Sequence, residues 1–141
     1  MDNTKMALSY LRQAEERLHH AREALERGSY PYVIRQCQEA VELLLKASLR
    51  LVGVETPKWH DVGPVLRREA HRFPKWFRES IPRMARISRR LRREREPSMY
   101  GDEESGVPPE ELYDKEDAEE ALDMARYVHE NVRKLVESYL S

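Results

Sequence analysis

Four long stretches of this chain repeat apolar residues at alternating steps of three and four, and none alternates apolar with polar. That pattern places one apolar stripe on a helix and leaves nothing to face the core of a sheet. Leu11, Ala14, Leu18, Ala21 and Leu25 mark a first helix over about residues 4–27. Ile34, Cys37, Val41, Leu44, Leu45, Ser48 and Leu51 mark a second, over about 31–52, with the widest apolar face and so the greatest expected burial. "GSYP" between them supplies Gly28 for a left-handed cap and Pro31 for a first helical turn, so the two helices form an antiparallel hairpin. Asp61 caps a short helix holding Val62, Val65 and Leu66. Phe77, Ile81, Met84, Ser88 and Leu91 then run along a basic helix to about Arg95, which Pro97 ends. Residues 97–113, rich in Gly and Pro, read as a long loop. Asp114 and Asp117 form an acidic cap for a last helix with Ala118, Ala121, Ala125, Val128, Val132, Leu135 and Tyr139 inward. The fold expectation is all-α: one domain over residues 1–141, an up-and-down bundle of four long helices plus one short helix.

Charge is segregated along the chain. Residues 67–95 hold twelve Lys/Arg against three Asp/Glu, whereas residues 96–123 hold one against twelve, and the net charge of the whole is −1. The basic block either meets a polyanion or is neutralised by the acidic one. Arg89, Arg90, Arg92, Arg93 and Arg95 crowd two helical turns, and guanidinium forks suit phosphate oxygens. Tyr100 follows, able to stack on a base or donate a hydrogen bond. The opposing expectation is that these arginines pair with Glu103, Glu104, Glu110 and Glu111.

Other motifs count for less. Glu16-x-x-His19 has the unit of a di-iron bundle, but one copy off the apolar stripe falls short of the two copies and two carboxylates such a site needs. No phosphate loop, nucleophile elbow or zinc spacing is present, so no metal or cofactor is expected. His60 and Asp61 read as a helix start, and Glu42 with Lys46 as a helical pair four residues apart. The single cysteine, Cys37, fits a reducing compartment, and no apolar run is long enough to span a bilayer, so a cytoplasmic protein with no membrane association is expected.

Taken in order, the helical pair "YLRQAEERLHHAREALERGSYPYVIRQCQEAVELLLKASLRL", the "WHDV" turn and the ending "REPSMYGDEESGVPPEELYDKEDAEEALDMARYVHENV" resemble the HEPN family over nearly the whole chain. The resemblance implies a helical bundle that often forms homodimers and commonly works with a minimal nucleotidyltransferase in modules of toxin–antitoxin type. In many branches it also implies a metal-independent ribonuclease carrying Arg, four to six residues, then His. Here Arg95 is followed after four residues by Tyr100, with Asp102 two further on; the histidine is missing. Arg12 and His19 match the spacing in the first helix, away from the family's site. Histidine exchanges protons near neutral pH without tuning, whereas a tyrosine side chain ordinarily ionises near pH ~10. The first expectation is therefore a non-catalytic protein binding nucleotide or RNA through Arg92, Arg93, Arg95, Tyr100 and Asp102. A ribonuclease with a substituted site, in which Arg95 steadies the phosphorane, Tyr100 takes the histidine's place and Asp102 is the base, is second. A purely structural adaptor is third.

Overall fold

The computed structural model describes residues 3–56, 58 and 61–140. Its four long helices are α1 (Asn3–Arg27), α2 (Tyr30–Leu51), α4 (Lys75–Arg93) and α7 (Lys115–Leu140), with α3 (Val62–Arg68) as the short extra. They form the expected all-α bundle: α2 and α7 make the central pair, and α1 and α4 each pack on both. No helix among the described residues is long and apolar enough to cross a membrane.

The connection from α1 to α2 closes as the sequence demands. Gly28 takes φ +77°, and the amides of Gly28 and Ser29 donate to the carbonyls of Leu25 (3.1 Å) and Ala24 (2.9 Å). Those two bonds satisfy carbonyls that the helix end would otherwise leave open. Every predicted inward position of α2 is buried, and Val33, Gln38, Ala40, Ala47 and Leu49 join them. Burial pushes the Cys37 thiol up to about 12, so in the folded chain it is an inert packing group. On α4 all five stripe residues are buried. On α1, Ala24 takes the inward place expected for Leu25, which is only partly buried. Tyr139 is a correction: it is 43% exposed, because the last turn of α7 runs past the helices that cover the rest.

Capping follows the sequence closely. Asp61 accepts from the amide of Gly63 at 3.1 Å, and its carboxylate also receives the Ser88 hydroxyl of α4 at 3.3 Å. Asp114 and Asp117 cap α7 reciprocally, each backbone amide donating to the other's carboxylate at 3.0 and 2.9 Å.

Segment 97–113 is not a plain loop. It folds into two single-turn helices, α5 (Pro97–Tyr100) and α6 (Pro109–Leu112). In each a proline with preset φ opens the turn, so the residues read as breakers act as starters. Between them a tight turn is clamped by paired bonds, Asp102 amide to Val107 carbonyl (2.8 Å) and Val107 amide to Asp102 carbonyl (3.0 Å). Gly101 and Gly106 both have positive φ, at +74° and +72°. A β-carbon on Gly101 would collide with the Val107 carbonyl oxygen, while one on Gly106 would meet open space. Gly106→Ala should therefore cost about 1 kcal/mol, the strain of a left-handed alanine. Gly101→Ala should cost about 3 kcal/mol or more, since the collision adds overpacking to that strain. Urea unfolding of the two variants measures the difference.

Candidate nucleotide-binding groove

Where α4 ends, the chain turns straight into α5, and the two ends enclose a groove of about 680 Å³. Arg92, Arg93, Arg95 and Tyr100 all line it, so four of the five residues singled out from sequence come together there. Arg35 of α2 lines it as well. The described lining residues include no histidine; Glu96, Pro97 and Met99 complete it.

Arg35 is the residue that sequence reasoning missed. It lies sixty positions before Arg95, and nothing local marks it except Glu39 one helical turn on, which reads as an ordinary surface pair. In the fold its Nε donates to Glu39 at 2.9 Å while its Nη1 donates to the Arg95 backbone carbonyl at 2.8 Å. Arg17 of α1 donates to the other Glu39 oxygen at 3.0 Å, so the carboxylate is gripped from two helices. The chain Arg17–Glu39–Arg35 thus ties α1 and α2 to the end of α4 and holds one guanidinium at the groove. That same Arg95 carbonyl accepts from the Ser98 hydroxyl at 3.1 Å, fixing the step from α4 into α5.

The opposing expectation, arginines zipped to Glu103, Glu104, Glu110 and Glu111, is not what the structure shows. The ion pairs described for the basic helix run to other helices: Arg92 to Glu42 of α2 (3.2 Å) and Arg90 to Glu120 of α7 (2.6 Å). Glu42 therefore pairs with Arg92 across the bundle and not with Lys46, whose Nζ lies 3.4 Å from the Lys58 carbonyl. Arg83 stacks over the Tyr127 ring at 3.9 Å. Arg89 and Arg90 face a second basic groove with Arg83, Arg86 and Arg93, so Arg93 borders both grooves.

Asp102 does not line the arginine groove. Its carboxylate accepts from the Ser105 amide at 3.3 Å inside the tight turn. Hydrogen bonds from Ser105, side chain first and then backbone, with a smaller one from Glu104, hold it below the usual carboxylate range. A carboxylate lowered in this way is a weaker proton acceptor, which argues against the role of base. Tyr113 ties the acidic segment to the turn after α4, its hydroxyl donating to Glu94 at 2.5 Å. Burial, then the Glu94 carboxylate, push its phenol well above the usual range, so this bond stays protonated. His60 lies outside the described residues. Glu16 and His19 sit on the solvent face of α1 in ordinary i,i+4 pairs, Glu16 with His20 and His19 with Glu23. Arg12 is on the same helix, which forms no part of the groove.

Comparison with known proteins places this geometry in a family. The chain is 31% identical over 144 residues to the protein named "Putative toxin MJ1304" of Methanocaldococcus jannaschii, covering 98% of this chain and 90% of that one. Its fold is similar to the crystal structure of TT1696 from Thermus thermophilus, with a TM-score of 0.68 and 26% identity across 91% of this chain and 96% of that one. The family model described as HEPN domain matches residues 7–135, nearly the entire bundle, and the chain belongs to the HEPN domain family.

Proposed function

We propose that this chain is a non-catalytic RNA-binding protein of a toxin–antitoxin-type module, holding the phosphate backbone in the groove of Arg35, Arg92, Arg93 and Arg95. The observation that carries the reading is the gathering of those four arginines, from α2, from α4 and from the turn that follows it, around an exposed tyrosine. Planar guanidinium forks match phosphate oxygens, and Tyr100, 59% exposed, can stack on a base. The name of the Methanocaldococcus relative supports the module type. Family membership supports a homodimer acting with a minimal nucleotidyltransferase. Against catalysis stand the tyrosine in place of the family's histidine and the turn-bound Asp102.

Binding of a fluorescently labelled single-stranded RNA should weaken steeply as salt rises. Arg92→Ala with Arg93→Ala should lower affinity by about tenfold or more and flatten that slope by one to two charges, roughly one for each phosphate no longer neutralised. An unchanged slope in the double variant would remove the arginine groove from the binding surface.

Incubated with RNA and a chelator, the wild-type chain should give no cleavage over hours. Cleavage that vanishes in Arg95→Ala would replace this reading with the ribonuclease. Light scattering should return about twice the 16.8 kDa chain mass, and a monomer mass would refute the homodimer.

A further inference from the structure

A second groove opens beside the arginine groove, and the two share Arg35 and Met99. Its walls come from the start of α2 and from the two single-turn helices, with Tyr30, Tyr32, Gln36, Met99 and Glu110 among the lining residues. Its volume is about 410 Å³. Tyr32 and Met99 are large apolar groups left 42% and 47% exposed, whereas Tyr30 leans on the core. The chemistry of this groove differs sharply from that of its neighbour. Its other ionisable lining groups are carboxylates: Glu39, already neutralised by Arg17 and Arg35, and Glu110, which joins none of the ion pairs among the described residues.

We infer that this second groove is a base-binding subsite, taking one unpaired base with an exocyclic amino group from a strand whose phosphates lie in the arginine groove. The inference rests on the RNA-binding reading above and adds to it the group that enters the second arm. A phosphate would meet the Glu110 carboxylate there and be repelled, so the arm suits an uncharged part of the strand. A flat base can stack on the exposed Tyr32 ring. Glu110 can only accept hydrogen bonds, so it matches the amino group of adenine or cytosine and opposes the carbonyl that uracil carries at the same edge. Gln36 offers both a donor and an acceptor. Arg35, anchored between the two arms, sets the distance from phosphate to base.

The test measures anisotropy titrations of three labelled oligomers of equal length: oligo(A), oligo(U) and an abasic ribose-phosphate strand. Wild type should bind oligo(A) most tightly, with the abasic strand weaker by about tenfold, the loss of one stacked base. Tyr32→Ala should bring oligo(A) down to the abasic level while leaving abasic affinity and its salt slope unchanged, and Tyr32→Phe should keep the preference. Glu110→Gln, on the surface and remote from the core, should narrow the gap between oligo(A) and oligo(U). Equal wild-type affinity for the three oligomers would overturn the subsite while leaving the arginine groove standing. A preference that survives both Tyr32→Ala and Glu110→Gln would do the same. Failure of all three oligomers to bind would overturn the RNA-binding reading and the subsite with it.

Discussion

The near-complete burial of α2 is the constraint on which the rest depends. Twelve of its residues are inaccessible or nearly so, and α1, α4 and α7 all pack against it. Polar groups of α2 such as Glu42 and Lys46 are therefore only partly exposed, and its one exposed residue, Tyr32, lies in the first turn. Arg35, Gln36 and Glu39 follow within the next two turns, beside the point at which α4 gives way to α5, and both grooves form around this end of the helix. The position of the site thus follows from where the innermost helix is least covered.

Charge segregation has a matching explanation. The acidic block does not fold back onto the arginines as a sheath; its members cap α7, close a turn or pair with single partners on neighbouring helices. Surface pairs of this kind contribute little to stability because solvent screens them. Part of the basic face of α4 therefore keeps its field while the bundle remains near neutral overall. A basic surface on a near-neutral chain confines its positive potential to one place, which a uniformly basic chain would not do.

The fold was legible because burial in a helical bundle leaves a periodic trace, and every stripe residue expected on α2 and α4 is buried. What failed had no such trace. Tyr139 continues the period of α7, but periodicity cannot show that the covering helices stop short of it. Pro97 and Pro109 read as breaks, since a proline that ends one helix and one that starts the next look alike in sequence. At the site, local density revealed Arg92, Arg93, Arg95 and Tyr100, which share one segment. Arg35 was hidden because its role is created by a contact across sixty residues, and Asp102 misled because its carboxylate is taken up by the Ser105 amide inside the tight turn and does not line the groove. Glu42 misled in the opposite sense, for its true partner Arg92 comes from another helix.

Arg35 also explains how a groove of like charges can exist before any ligand arrives. Guanidinium groups crowded at one place repel, and long side chains ordinarily swing away into solvent. Two of the five N–H donors of Arg35 are committed, one to Glu39 and one to the Arg95 carbonyl, so its guanidinium is held in place. The Glu39 carboxylate offsets its charge, and Glu42 does the same for Arg92, which is also only partly exposed. Arg93 and Arg95, by contrast, are exposed. The groove therefore joins a preorganised wall to an exposed one. In the proposed RNA complex the fixed arginine would reduce the ordering cost of binding, while the exposed pair would adjust to phosphate spacing. Removing the Glu39 carboxylate would weaken this division, because Arg35 would then lose one of the two anchors that hold it at the junction of the two grooves.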